Sequence, residues 1–583
     1  MKKTLLLFVL IVLLISCKND NKPDSGNDFN VVIGINREPQ ALMPFKRNAD
    51  IERLVNQYIF TQAADYDPVN YKNIPVLLER LPEEIIVDTG KYKNSYRYDL
   101  KFRDEAVWEN GSPITASDYI FTIKMLLYPA LEVHPALRIL YSKIKNIETD
   151  KNDPQKFSVF TEMDYMLSDE LVTNMEVFPE YFYDSLRILR SFTLQELNVK
   201  QITKLTEEKI KKYSDFASKL NSAFFMRENV SGAGPYRLES WTANDFISLV
   251  RKDNWWGDKF ENISYLSNNP AKIIFKVIPD KVASFTELKS GNIDVLSGEL
   301  GNDFVKMKND PQYNNKFHFF SPLSTQYYAV VINNRNEILK DKLIRKAIAR
   351  MIDVDLLLKT FGTGGEMKAL SPIHPAKEYF NKSLKEISFD LKEAEKLIKQ
   401  AGWKDDDGNG IPEKVINGRK TELKFSVTIT GKAFGKSLAL QLKENAGKLG
   451  IEVEVITRQG AKFKKDLDDL KFDLAPIVGS QDLADIDPFP EWHSSNTGPG
   501  RSNISGFSDP GCDKIIEEII STHNKEKRAE LYVEFQKLIY EEQPVIFLFI
   551  PTNNVIVNKK FEAKASVKRP GYFANTFKMS NKI

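Results

Sequence analysis

Cysteine is almost missing from this chain: Cys17 and Cys512 are the two in 583 residues. There is no Cys-x-x-Cys pair. Histidine is nearly as scarce, and the five residues (His134, His318, His374, His493, His523) are scattered. No His-Glu-x-x-His, Gly-x-Ser-x-Gly or Walker loop is present, so the common metallopeptidase, serine-hydrolase and nucleotide-binding chemistries have no foothold. The run Gly362–Gly365 lacks dinucleotide-fingerprint spacing, and Gly232-x-Gly234 is followed by Pro235, which does not suit a phosphate-cradling helix start. Excess charge is lacking too. The formal net charge is +2, and without Lys2 and Lys3 the basic and acidic residues balance at 80 each. That excludes the basic footprint of a nucleic-acid binder. Nor is there an apolar run of ~20 residues that could cross a bilayer as a helix.

The one long apolar run is Leu5–Ile15, eleven residues behind Met1-Lys2-Lys3. A basic start, a short apolar stretch and a small residue read as a secretory signal peptide, residues 1–16. Leu14-Ile15-Ser16-Cys17 resembles the lipobox of bacterial lipoproteins, which implies cleavage before Cys17 and a diacylglyceryl thioether on it. The polar residues 17–28 then form a lipidated tether, and Cys512 has no intrachain partner. Lipid anchors a chain to a membrane without making it span one.

What the chain does have is the composition of a soluble globular protein, 42% hydrophobic and 28% charged, with 37 Phe and 22 Tyr. Its length allows two to four domains. Strands are expected at Asn30–Ile35, Tyr96–Phe102, Phe246–Arg251, Lys272–Ile278, Gln326–Ile332 and Val545–Ile550. Helices are expected at Ile51–Phe60, Thr115–Leu127, Asp341–Phe361, Leu391–Ala401 and Lys527–Tyr540. Asn254–Gly257 reads as the close of a hairpin. Residues 168–230 are rich in Lys, Glu and Leu and read as a helical insertion of no assigned function. Leu423–Thr430, Phe434–Leu449 and Ile451–Ile456 form a βαβ pattern; the whole is α/β.

That pattern leads into Lys471–Ser495, KFDLAPIVGSQDLADIDPFPEWHSS. Phe472–Val478 reads as a mostly buried strand turning at Gly479. Asp482, Asp485 and Asp487 follow, then Phe489 and Trp492. Acids and aromatics delivered together by a strand end suit a small cationic ligand; a solvated acidic loop is the alternative. Elsewhere, Asp405-x-Asp407-x-Asn409-Gly410 matches the start of an EF-hand loop, but its twelfth position is Ile416 rather than glutamate. A polar turn is the expectation there and no metal is called for. Should calcium bind, Asp405, Asp407 and Asn409 are the candidate ligands, with Glu413 as a further carboxylate.

Tyr98–Lys124, with its Trp108-Glu109-Asn110-Gly111 turn and Thr115-Ala116-Ser117-Asp118 helix start, resembles the signature region of extracellular solute-binding proteins of family 5. These serve ABC importers of oligopeptides and dipeptides. Gly232–Tyr236, Lys340–Asp353, Ala394–Gly418 and Asp509–Pro544 are similar to further motifs of that family, in the same order. The resemblance implies a two-lobed periplasmic-binding-protein fold of the class II type with an extra small domain. Lobe 1 would comprise residues 29–45, 166–282 (with the helical insertion) and 552–583. The extra domain would be 46–165 and lobe 2 residues 283–551. Hinge closure would bury a peptide-like solute between the lobes. The expected partners are that solute, ABC permease subunits and, through the lipid, a membrane at the periplasmic face. A monomer without cofactor, enzymatic activity or nucleic-acid partner is implied. In peptide binders of the family an aspartate after the corresponding strand meets the ligand's α-amine. Counting from Phe472-Asp473 puts it at Asp482; counting back from Asp487-Pro488 puts it at Asp485. Trp492, Tyr327 and Tyr328 are the aromatic candidates for the cleft. A sugar, metal chelate or opine is the alternative solute, and a surface hydrolase the alternative class.

Overall fold

The computed structural model describes residues 29–46, 50–69, 71–128, 130–163, 165–197, 206–298, 300–481 and 484–580. The signal segment, Cys17, the tether and Asp482 lie outside the described residues. Three sheets dominate. A seven-stranded sheet contains Asn30–Ile35 at its centre, with Lys272–Val277 and Val295–Gly298 parallel on either side. A six-stranded sheet has the order Met367–Lys368, Val545–Ile550, Gln326–Ile332, Leu474–Ser480, Lys424–Ile429, Glu452–Thr457. A four-stranded antiparallel sheet holds Glu84–Val87, Ser95–Lys101, Lys156–Thr161 and Ile144–Thr149. The fold is therefore mixed α/β, as the alternation of elements requires. Among the described residues no helix is long and apolar enough to cross a membrane.

Local chemistry explains the elements. The helix Ala116–Leu127 starts where Thr115 N–H donates to the Asp118 carboxylate at 2.9 Å. The other Asp118 oxygen accepts from Glu180 N–H at 3.0 Å, tying the helix to the next segment. Gly232 and Gly234 pack on the end of the helix Asp50–Ile59. Gly234 N–H donates to Ile59 O at 2.8 Å, and a Cβ on Gly234 would lie 2.6 Å from Tyr58 O. This motif serves close backbone approach, not phosphate binding.

Several expectations shift. Asp341–Phe361 is not one helix but two, Lys342–Met351 and Val354–Phe361. Ile352 is extended, and Asp353 caps the second helix by accepting from Leu356 N–H at 3.0 Å. The hairpin Tyr236–Thr242/Phe246–Arg251 turns at residues 243–245, so Asn254–Gly257 follows it rather than closing it. Gly479 lies inside the strand Leu474–Ser480; a Cβ there would sit 2.2 Å from the Tyr327 ring. Residues 168–230 do not stand apart: Tyr183, Leu189, Leu197, Phe216 and Leu220 are buried in the same core as Val31 and Ile33.

The expected boundary at 283 does not coincide with the change of sheet. Val295–Gly298 and Phe317–Phe320 still belong to the seven-stranded sheet, and the six-stranded sheet begins at Gln326. Short apolar strands carry no mark of the sheet they join.

Candidate functional site

Two short crossings connect the large sheets. Residues 321–325 lead from Phe317–Phe320 to Gln326–Ile332, and residues 551–553 lead back from Val545–Ile550 to Asn554–Asn558. They run side by side: Ser324 N–H donates to Pro551 O at 2.7 Å and Asn553 N–H to Pro322 O at 2.8 Å. Polar side chains brace them. Asn554 Nδ2 donates to Thr363 Oγ1 at 2.9 Å, and Ser321 Oγ to Asn554 Oδ1 at 3.0 Å. His374 is buried beside the first crossing. Its Nε2 bonds Ser324 O at 3.0 Å and its Nδ1 accepts from Ala376 N–H at 3.1 Å. Both contacts suit the neutral ring, and burial pushes its pKa down to about 4.

Segments on either side of the crossings also touch one another. Arg569 donates to Gln326 Oε1 at 2.8 Å and pairs with Asp50 at 2.6 Å. His523 Nε2 bonds the Tyr96 hydroxyl at 2.5 Å, and its Nδ1 lies 3.6 Å from Glu84. Lys525 lies 3.6 Å from Asp169. Met166 and Leu167 are buried in one apolar cluster with Tyr327 and Trp492.

Glu170 follows Met166 and Leu167 in the chain, and Asp485, Asp487 and Glu491 belong to the stretch that carries Trp492. The Tyr66 hydroxyl donates to Glu170, whose carboxyl burial pushes up to about 7, with Asp169 and Asp485 adding to the rise. Burial likewise raises Asp487 and Glu491. Asp487 Oδ1 accepts from Phe489 N–H at 2.9 Å. Glu491 has no hydrogen bond or ion pair among the described residues. It is exposed, and desolvation by the surrounding protein raises its carboxyl. Tyr327, itself buried, senses the Glu491 charge.

The sequence candidates fall as follows. Asp485 accepts from the buried guanidinium of Arg528 at 2.9 Å, so its charge is already compensated. Trp492 is buried, with its ring 6.0 Å from Phe535 and 6.2 Å from Phe547. Tyr327 packs on Phe547 at 5.4 Å, on that same side of the sheet. Tyr328, its neighbour on the strand, points the other way and packs between Phe434 and Phe549, at 4.7 and 4.8 Å. Cys512 is buried and unpaired among the described residues. Asp405 and Asp407 come together with Glu413, far along the chain from the crossings, while Asn409 Nδ2 lies 3.4 Å from Asp407. Sequence reasoning missed Glu170, Tyr66 and Glu491. Glu491 stood in the acidic stretch and was legible as a fourth carboxylate; Glu170 carried no local signal.

Comparison with known proteins agrees with this architecture. The profile of bacterial extracellular solute-binding proteins, family 5 (middle region), matches residues 91–501. The oligopeptide-binding protein AppA of Bacillus subtilis is 24% identical over 573 residues, covering 95% of this chain and 94% of that one. The structure of AppA with a nonapeptide superposes with a TM-score of 0.66 at 20% identity, covering 95% of this chain and 99% of the other. NikZ of Campylobacter jejuni in complex with Ni(L-His) gives 0.65 at 22% identity, covering 94% and 99%. The chain belongs to family 5 of the bacterial extracellular solute-binding proteins.

Proposed function

We propose that this chain is the capture subunit of an ABC importer and takes a peptide-like solute with a free amine between its two large sheets. The observation that carries the reading is that residues 166–170 meet the face of the other sheet that carries Tyr327 and Trp492: Met166 and Leu167 share an apolar cluster with both, and Glu170 beside them feels the charge of Asp485. A carboxylate there gains from a ligand ammonium, provided further hydrogen bonds compensate desolvation. We assign the amine contact to Asp482, because Asp485 is engaged by Arg528. In this reading residues 321–325 and 551–553 are the hinge. One lobe is built on the seven-stranded sheet and the other on residues 326–550, while the extra domain, 46–165, surrounds the four-stranded sheet. Closure follows from differential affinity of the ligand for the closed arrangement.

The anchor belongs to the same proposal: Cys17 carries a diacylglyceryl group and holds the chain at the periplasmic face beside its permease. The intact mass of chain extracted from membranes checks this. A lipid adduct on an N-terminal Cys17 is expected; a chain starting elsewhere or unmodified there contradicts it. For the ligand, the purified chain is denatured and the released compounds are identified by mass spectrometry. Peptides are expected, and a sugar, opine or metal chelate as the sole released compound contradicts the reading.

A further inference from the structure

The loop between the helix Leu391–Gln400 and the hairpin Glu413–Ile416/Arg419–Glu422 lies outside everything assigned so far. One carboxylate oxygen from each of Asp405, Asp407 and Glu413 lies within 4.8 Å of the others. Asp405 and Asp407 are exposed, but Glu413 is only 3% exposed. Glu413 Oε1 accepts from Asp406 N–H at 3.1 Å and lies 3.0 Å from Lys420 Nζ. Its second oxygen, Oε2, is fully buried and has no hydrogen-bond partner among the described residues. A buried carboxylate oxygen left without a partner is costly.

Charge points the same way. Three carboxylates face a single ammonium, that of Lys420, which also sits 2.5 Å from Asp407. Two negative charges remain, matching a divalent cation. The sequence supplies oxygen at the spacing such cations use: Asp405, Asp407 and Asn409 alternate ahead of Gly410, whose φ of +87° permits the sharp turn. Within the loop Asn409 Nδ2 donates to Asp407 at 3.4 Å, and the other contacts involve backbone N–H groups. Gly410 N–H donates to Asp405 at 3.0 Å, Asn409 N–H to Asp407 at 3.1 Å, and Ile411 N–H to Asn409 at 2.8 Å. Each leaves oxygen lone pairs free. The loop is also held from outside: a Cβ on Gly450 would meet Gly410 O at 2.0 Å, so the turn at Gly450 packs against it.

We propose that Asp405, Asp407, Asn409 and the buried Glu413 form a calcium site that ties the end of the helix Leu391–Gln400 to the hairpin, with Lys420 displaced from Asp407 when the ion binds. Calcium fits better than magnesium because the set is all oxygen and adaptable, and the loop does not present a small rigid octahedron. The role is structural and independent of the ligand taken at the crossings. Glu413, not position twelve of an EF-hand, would supply the anchoring carboxylate.

Calorimetric titration of CaCl₂ into the chelator-treated full chain tests this. One saturable site is expected with Kd about 0.1–1 mM, the range of extracellular calcium modules, and with magnesium weaker by at least ~10-fold. The double substitution Asp405→Asn/Asp407→Asn removes two exposed charges and should leave the fold intact while weakening calcium at least ~10-fold. Lys420→Met removes the competing ammonium and should strengthen calcium binding. Three results would each overturn the proposal: no saturable calcium heat, equal affinity for magnesium, or unchanged affinity in the Asn variant. A fourth is a Lys420→Met chain whose melting temperature falls equally with calcium and with chelator, which would make Lys420 the permanent counter-ion.

Discussion

Glu170 is a carboxyl whose surroundings disfavour its charge. Its pKa stands near 7 in the folded chain against an ordinary value of 4.5, chiefly through burial, with Asp169 and Asp485 adding to it. The folded state then binds the proton more tightly than the unfolded one. Stability contributed by this group is present below about pH 4.5 and lost as pH rises through about 7. Glu170→Gln should therefore flatten the fall in melting temperature between about pH 5 and about pH 8. An unchanged slope would mean that another group titrates there. At this scale the sequence was a partial guide. Asp485, Asp487 and Trp492 were visible as an acidic, aromatic strand end. That Asp485 would be met by Arg528, 43 residues away, was not, because a tertiary ion pair leaves no local pattern. Asp473 is similar. It lies in the mostly apolar run Phe472–Val478, yet it accepts from Asn336 and from Ser426 N–H, each at 2.8 Å, and so ties the start of the strand Leu474–Ser480 to the strand Lys424–Ile429 and to the turn after Ile332.

Elements were more legible than contacts, because periodicity and caps are local. The strand Gln326–Ile332 has the expected bounds, and the βαβ run Lys424–Ile429, Ala433–Gly447, Glu452–Thr457 pairs in parallel as its spacing requires. The break at Ile352-Asp353 was missed because apolar periodicity continues across it; only the capping aspartate marks the restart. The glycine motif at 232–234 was visible, but its reason was not. That reason yields a prediction. Gly234→Ala puts a methyl group 2.6 Å from backbone atoms of Tyr58 and Ile59, which cannot yield as a flexible side chain would. A loss of about 1–3 kcal/mol is expected from urea unfolding, and an unchanged midpoint would show that the helix end shifts freely.

The described residues form two large sheets joined by a pair of adjacent crossings, a four-stranded antiparallel sheet and three two-stranded ones. Ordered family motifs made this architecture readable from sequence, whereas the place where the chain changes sheet was not. Strands Val295–Gly298 and Phe317–Phe320 look like any others until their partners are known. Segments on either side of the crossings touch through Arg569 and Gln326, His523 and Tyr96 of the four-stranded sheet, and Met166 and Leu167 against Tyr327; Glu170, Asp485 and Asp487 are half-buried near this contact.

Our central claim is that the region around these crossings captures an amine-bearing peptide. Calorimetric titration with a short peptide drawn from those released by the purified chain, compared with its N-acetylated form, tests that claim most directly. The account predicts saturable binding of the free peptide, at least ~10-fold weaker binding of the acetylated one, and a similar loss for the free peptide with Asp482→Ala. Equal affinity for the two peptides, with Asp482→Ala unaffected, would contradict it.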